Sequence, residues 1–274
     1  MIRFTLLSLV VLLTACSQGN ISNINPDEID AAFSEHVDII ILEDKGVKIT
    51  EANDFPLFLD CCLNFITPKA NAFFGPNEFE FGIKNFDLIG STVDEKKKGV
   101  RLNDKGQFLY VIKNRNEITR VNSTKFAFDL SHGVTNYFIA PSRSYEMSIK
   151  NDSSYLAFEY DVEEDSCSFK EIKEPAIYLC SPSGIYPNSH SDKVLLDFFV
   201  INTEINEQTR VKITIDKDVH FIVNKWAPFY VEGLKSGNHT IKLQLVDKDG
   251  NQIKGDYTSF KETRFTLQKF EAIK

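Results

Sequence analysis

The run Val194-Leu195-Leu196-Asp197-Phe198-Phe199-Val200-Ile201 carries the strongest fold signal in the chain. Every residue in it except Asp197 is apolar, and both alternating faces of an extended segment would therefore be hydrophobic. A continuous apolar run of this length is typical of a central strand that is buried on both faces. We therefore predict that this strand lies in the middle of a sheet.

The residues that follow this run alternate apolar and polar side chains with a period of two. Such alternation predicts strands with one face in a core and one face in solvent. The turn at 247–250 contains Gly250, which can adopt positive φ. These signals predict a β-sandwich domain over residues 178–270. Its apolar positions include Val211, Ile213, Ile215, Phe221, Val223, Ile241, Leu243, Leu245, Phe265 and Leu267.

The first half of the chain repeats the pattern in short segments separated by turn residues. Its segments include Phe79-Glu80-Phe81, Phe108-Leu109-Tyr110 and the run over 155–162. We predict a first β-sandwich domain over residues 48–162 and a linker over 163–177, which is rich in Glu, Asp, Ser and Lys. The predicted fold class is all-β, with two tandem immunoglobulin-like β-sandwich domains.

The N-terminus predicts export. Arg3 precedes an apolar run over residues 4–12, and Leu13-Thr14-Ala15-Cys16 follows it. The run is too short to span a bilayer and is typical of a secretory signal peptide, here residues 1–15. The tetrapeptide resembles the lipobox of bacterial lipoproteins, which implies that Cys16 is acylated and anchors the chain through a tether over residues 16–47. The alternative is an ordinary signal peptide with an accidental cysteine.

The composition argues against several function classes. The formal net charge is −8, which disfavours binding to nucleic acid because phosphate contacts need clustered Lys and Arg. The sequence contains no Gly-x-Ser-x-Gly motif and no phosphate-binding glycine loop. No two histidines have the spacing of metal ligands on one strand face. We therefore expect a non-enzymatic protein without a cofactor or a metal. The histidines are His36, His132, His190, His220 and His239.

Cys167 and Cys180 flank the predicted linker. An exported protein can oxidise its thiols, and a bridge that closes a loop of this length would contribute about 3 kcal/mol. The pair is therefore a disulfide candidate, with two free thiols as the alternative.

Two groups of side chains are candidates for ligand binding. Arg143, Ser144, Ser148 and Lys150 combine two cations with two hydroxyls, which would hold a phosphate or carboxylate by charge-assisted hydrogen bonds. The alternative is that Arg143 and Ser144 satisfy backbone groups at a corner of the sandwich and Lys150 is solvated. Trp226, Phe229 and Tyr230 form an aromatic group that would stack on a sugar ring or, alternatively, close one end of the second sandwich.

Several stretches of the second domain resemble one family of Gram-negative lipoproteins, whose members are often described as phosphopeptide-binding proteins. They are residues 194–198, 202–205, 224–234 and 237–243. The family carries a His-x-His-like pair where this chain has Phe108 and Tyr110, so any metal or anion held by that pair would be lost here.

Taken with the lipobox, these features predict a membrane-anchored lipoprotein that acts as a non-catalytic binding or structural module for a protein or peptide partner. The alternative is a carbohydrate-binding accessory lipoprotein of a surface uptake system. The expected location is the outer membrane. The periplasmic face is favoured over the cell surface, because the residues after Cys16 lack the acidic run of some surface-export signals.

Overall fold

The computed structural model describes residues 39–52, 58–67, 78–127, 132–163, 167–187 and 192–268. The predicted signal peptide, Cys16 and the tether up to residue 38 lie outside the described residues. The described residues belong to one compact unit. They form an all-β fold built from four sheets, and the predicted all-β sandwich class is confirmed.

Sheet 1 is five-stranded and antiparallel, and the apolar run over residues 194–201 lies within it. That run belongs to β13, whose residues 194–201 are all buried. Strands pair with β13 on both sides, so its predicted central position is confirmed. In spatial order, sheet 1 contains β1 (Ile41–Asp44), β2 (Val47–Glu51), β16 (Phe229–Glu232), β13 (Lys193–Ile201) and β11 (Ala176–Ser181).

Sheet 2 faces sheet 1 and supplies the other half of a large core. Its strands alternate buried and more exposed residues, as in β15, which is the pattern of a sheet with one face covered. In spatial order, sheet 2 contains β12 (Gly184–Tyr186), β18 (Ser259–Leu267), β17 (Gly237–Asp247), β14 (Thr209–Ile215) and β15 (Val219–Val223). Strand β12 runs parallel to β18, and the other pairs are antiparallel.

Sheets 3 and 4 form the sandwich of the first half of the chain. In spatial order, sheet 3 contains β10 (Cys167–Glu171), β9 (Leu156–Val162), β8 (Gly133–Ser142), β5 (Phe108–Lys113) and β6 (Glu117–Val121). Sheet 4 contains β3 (Cys62–Thr67), β4 (Glu78–Lys84) and β7 (Lys125–Ala127). A single helical turn, α1 (Glu95–Lys98), lies between β4 and β5.

The inner strands β5 and β8 of sheet 3 are buried on both faces over most of their length, and this joins the two halves of the chain. One face places Val111, Tyr137 and Phe158 in a core shared with Phe79 of sheet 4. The opposite face contributes Phe138 to the larger core of sheets 1 and 2. There the ring of Phe138 stacks on Tyr178 of β11 at a centroid distance of 4.3 Å. The two sandwiches therefore share an apolar interface.

The N-terminal hairpin departs from the predicted domain boundaries. Residues 41–47 fall in the predicted tether, and residues 48–51 fall in the predicted first domain. Both strands of the hairpin instead join sheet 1, where β2 pairs with β16 through Ile49 and Val231. Ile49 is fully buried there. Burial of Val47 and Ile49 in the core of the C-terminal strands explains this placement.

The predicted linker over residues 163–177 also contains regular structure. Strand β10 lies within it and pairs with β9, and β11 begins at its end. Polar side chains on β10 suggested a linker because β10 is the edge strand of sheet 3, where alternate side chains face solvent.

Candidate functional site

The four residues predicted to hold an anion lie together in the segment that follows β8. Arg143, Ser144 and Ser148 are buried. The guanidinium Nη1 of Arg143 donates to the Ser148 carbonyl at 3.1 Å, and the Ser144 hydroxyl donates to the Glu95 carboxylate at 2.5 Å. These groups are engaged by the protein itself and are screened from solvent.

Lys150 forms an ion pair with Asp197, the polar residue inside the apolar run of β13. The two side chains are 7% and 0% exposed. The Lys150 ammonium also donates to the Ser148 hydroxyl at 2.9 Å, and the Ser148 backbone N–H donates to Asp197 Oδ2 at 2.7 Å. A buried carboxylate requires such partners. Lys150 therefore has a structural role, and the expectation that it would be solvated is wrong because its side chain is buried against Asp197.

A second buried charge cluster is centred on Glu146, in the same segment. Arg101 donates to both carboxylate oxygens, at 2.8 and 2.7 Å, and Arg120 lies 3.1 Å from Oε1. The Arg101 guanidinium also stacks on the ring of Tyr186, 3.7 Å from its centroid. Paired, bidentate geometry of this kind fixes the segment firmly. The charge cluster around Glu146 therefore links strands of both sandwiches.

Tyr110 occupies one of the two positions where the resembled family carries a histidine. Its hydroxyl donates to the Glu146 carbonyl at 2.8 Å. Burial raises the pKa of Tyr110 well above its usual value, and the Glu146 charge raises it further. The residue is therefore a neutral hydrogen-bond donor.

The three aromatic candidates do not form one surface. Phe229 is fully buried and stacks on Phe198. Tyr230 packs in a different cluster, and its ring lies 3.8 Å from the Lys193 ammonium. Trp226 is partly exposed and packs against the main core. Of the three, Trp226 lines an open cleft formed by described residues.

The cleft around Trp226 is open to solvent and has a volume of about 710 Å³. We call it the Trp226 cleft. The indole is held in place because its N–H donates to the Phe198 carbonyl at 3.0 Å and its edge meets Phe199 at 5.0 Å. The cleft is lined by Asp152, Tyr155, Val200, Ile201, Asn202, Thr203, Glu204, Ile205 and Trp226.

Tyr155 is the second aromatic residue of the cleft, and it was not among the predicted binding residues. Its ring lies 5.1 Å from Phe199 and 6.0 Å from Phe138, so it is anchored on the core beneath it. Burial raises its pKa, and Asp152 raises it further. The cleft thus combines two fixed aromatic rings with carboxylate, amide and hydroxyl groups. Because Tyr155 sat in a predicted strand, its sequence pattern carried no separate functional signal.

The predicted disulfide is not formed. Cys167 and Cys180 are both free thiols. Cys180 lies in the core of sheets 1 and 2, whereas Cys167 packs on the core of sheets 3 and 4. Burial raises the pKa of Cys180 well above its usual value, which disfavours the reactive thiolate. The two cysteines therefore pack separately.

Within the described ranges, no three His, Cys, Asp or Glu side chains are grouped so that they could hold a metal ion. The same residues include no helix of the length and apolarity needed to cross a membrane.

Comparisons with known proteins give weak similarities. No family model and no curated protein matches the chain. Fibronectin(III)-like modules of Clostridium thermocellum CbhA are 12% identical over 76% of this chain and 94% of that chain, with a TM-score of 0.27. The Bacteroides ovatus mixed-linkage glucan utilization protein SGBP-B, solved with a mixed-linkage heptasaccharide, is 8% identical over 76% of this chain and 70% of its own, with a TM-score of 0.21.

A third structure is the extracellular domain of a hybrid two-component system from B. thetaiotaomicron. It is 9% identical over 84% of this chain and 44% of that chain, with a TM-score of 0.28. Identities and TM-scores this low do not transfer a function from those proteins to this chain.

Proposed function

We propose that this protein is a lipid-anchored, non-catalytic binding protein whose Trp226 cleft takes a carbohydrate. The observation that carries the proposal is the pair of core-anchored aromatic rings, Trp226 and Tyr155, on an open cleft of about 710 Å³. Rigid aromatic rings offer apolar surface at a low entropic cost, and the C–H face of a sugar ring packs on such a surface.

The polar groups of the cleft fit the same ligand class. Asp152 and Glu204 supply acceptors, and Thr203 supplies a hydroxyl that both donates and accepts. A sugar presents hydroxyls that can pair with each of these groups. Sites of this kind combine apolar walls with a few polar groups that fix the orientation of the ligand.

The peptide alternative has less support from the geometry. The cations predicted to recognise a phosphopeptide, Arg143 and Lys150, are buried and engaged with protein groups. If the ligand is a peptide, the Trp226 cleft favours a basic one, because Asp152 and Glu204 would pair with its cations.

Replacing the indole tests the proposal. In the mature chain, Trp226→Ala should weaken binding of the best ligand from a glycan array by about tenfold, or about 1.4 kcal/mol. Calorimetric titration measures this loss. Trp226→Phe is the matched control, because it keeps a smaller aromatic ring in the cleft and loses the hydrogen bond to the Phe198 carbonyl. It should retain most of the affinity.

Two outcomes would reject carbohydrate as the ligand. One is that no glycan on the array binds the wild-type chain. The other is equal affinity in the wild type and Trp226→Ala after both are shown to be folded. Salt-sensitive capture of basic peptides, lost in Asp152→Asn, would instead favour the peptide alternative.

The membrane anchor is tested separately. Cys16→Ser should abolish incorporation of a clickable fatty acid and release the chain from the membrane fraction, because acyl chains attached to Cys16 supply the anchoring energy. Cys62→Ser is the control and should leave labelling unchanged. A wild-type chain that takes up no label would show that the protein is not a lipoprotein, whatever its cleft binds.

A further inference from the structure

The Trp226 cleft carries an uneven charge. Two carboxylates, those of Asp152 and Glu204, lie on its wall, and none of the described residues that line it is a Lys, Arg or His. Both acidic residues are exposed. Neither carboxylate forms a hydrogen bond or an ion pair with any other described residue. The cleft therefore presents two negative charges that are open to a ligand.

The lysines close to the cleft in sequence do not cancel this charge. Lys225 directly precedes Trp226, but its ammonium pairs with Glu51, outside the cleft. Lys173 is 82% exposed, and its ammonium lies 3.9 Å from the Glu171 carboxylate. Neither lysine lines the cleft. The positive charges nearby are therefore matched by other carboxylates or hydrated.

The hydroxyl of Tyr155 experiences the same negative field. Burial raises the pKa of Tyr155, and the charges of Asp152 and Glu171 raise it further. A cation near the ring would lower the pKa of a tyrosine, and no cation among the described residues opposes the two carboxylates here. Two independent features of the cleft, its lining and the behaviour of Tyr155, thus indicate a negative potential.

The polar side chains of the cleft also favour accepting hydrogen bonds over donating them. The side-chain NH₂ of Asn202 donates to two backbone carbonyls, at 2.9 and 3.0 Å, which leaves its Oδ1 as an acceptor. Ionised Asp152 and Glu204 only accept, whereas the hydroxyls of Tyr155 and Thr203 can donate or accept. A ligand rich in donors therefore matches this cleft better than one rich in acceptors.

An ammonium group fits these conditions. It brings three donors and no acceptor, and it forms charge-assisted hydrogen bonds with carboxylates. It is also attracted to the face of an aromatic ring. The carboxylate of an acidic sugar would instead meet like charges in the cleft. The charge of the cleft thus discriminates among sugars that share one ring shape.

We infer that the Trp226 cleft selects an amino sugar with a free ammonium, and that Asp152 and Glu204 recognise this group. The inference rests on the proposed carbohydrate function of the cleft and narrows it to cationic glycans. In this arrangement Trp226 and Tyr155 pack on the sugar ring, and the two carboxylates determine which substituent is accepted. N-acetylation removes the charge and adds a carbonyl acceptor, so it should weaken binding.

The experiment compares three tetrasaccharides that have the same β-1,4 linkage and differ at C2. They are the tetramers of glucosamine, N-acetylglucosamine and glucose. The mature chain is titrated with each by calorimetry at about pH 6, where an amine of this kind is protonated. We expect the glucosamine tetramer to bind about tenfold or more tighter than either neutral tetramer.

Asp152→Asn and Glu204→Gln test the two carboxylates separately. Each should weaken binding of the glucosamine tetramer by about tenfold and leave the affinity for the neutral tetramers unchanged, because only a charge is removed. Glu262→Gln is the matched control, since Glu262 is an exposed carboxylate on β18 outside the lining of the cleft. It should change none of the affinities. Thermal unfolding checks that all three variants are folded.

Several results would overturn the inference. They are equal affinity for the three tetramers, binding of none of them, or full affinity for the glucosamine tetramer in folded Asp152→Asn and Glu204→Gln. A trilysine peptide carries ammonium groups without a sugar ring. If it binds more tightly than the glucosamine tetramer, the cleft belongs to a basic peptide.

Failure of this inference differs from failure of the proposed function. If only the selectivity is wrong, a neutral glycan still binds, Trp226→Ala weakens it, and Asp152→Asn has no effect. If the carbohydrate function is wrong, neither the tetramers nor any glycan on the array binds the wild-type chain.

Discussion

Replacing either partner of the Lys150–Asp197 pair should lower the free energy of unfolding by about 3–5 kcal/mol. In Lys150→Met the carboxylate of Asp197, which is fully buried, loses its countercharge. In Asp197→Leu the Lys150 ammonium is left in a site where its side chain is only 7% exposed. Urea denaturation followed by circular dichroism measures both losses.

The double variant, Lys150→Met with Asp197→Leu, should recover most of this loss. Buried pairs replaced by apolar side chains are often neutral or stabilising, because the cost of desolvating two charges disappears. Recovery should be incomplete, since the Ser148 N–H loses its acceptor on Asp197. The non-additivity of the cycle isolates the pair from the separate effects of each site.

An exposed ion pair in the same chain provides the matched control. Lys173 lies 3.9 Å from Glu171, and their side chains are 82% and 72% exposed. Lys173→Met should change stability by less than about 0.5 kcal/mol, because such pairs are hydrated and screened. If Lys150→Met changed stability as little as Lys173→Met, water would have to reach the Asp197 carboxylate. The assignment of Asp197 as buried would then be wrong.

The second large effect is expected for Phe198→Ala, which should lower the free energy of unfolding by about 3–5 kcal/mol. Phe198 is fully buried on β13 and stacks on Phe229 with ring centroids 6.4 Å apart. Truncation leaves a cavity at the centre of sheet 1, where neighbouring strands on both sides restrict collapse. Thermal and urea unfolding report the loss.

Ile222→Ala is the control for Phe198→Ala. Ile222 lies on β15, at the edge of sheet 2, and is 41% exposed. Ile222→Ala should lower the free energy of unfolding by well under half as much as Phe198→Ala, because less apolar area returns to water and no closed cavity forms. Equal effects of the two variants would mean that the burial assigned to β13 is wrong.

Much of the fold was predictable because the relevant signals are local. The unbroken apolar run of β13 and the alternation at Ile241, Leu243 and Leu245 reflect the strand period, which each segment carries by itself. The boundaries were less predictable. The hairpin of β1 and β2 pairs with β16, far along the chain, and its alternation does not specify which sheet it joins.

The candidate sites were predictable only in part. Trp226 drew attention as the single tryptophan of the chain, but its neighbour Tyr155 was one aromatic residue among many. The disulfide prediction failed because cysteine spacing does not reveal that Cys167 and Cys180 face different cores.

The all-β class, the central strand and the closeness of Arg143 to Lys150 follow from the sequence alone, since they depend on the strand period and on proximity along the chain. The sequence also carries the prediction of an anchor at Cys16, which lies outside the described residues. Whether each polar residue is exposed or buried depends on how the sheets pack in three dimensions. Asp197 and Lys150 are 47 residues apart in sequence, and only the packing of β13 brings the carboxylate to its cation.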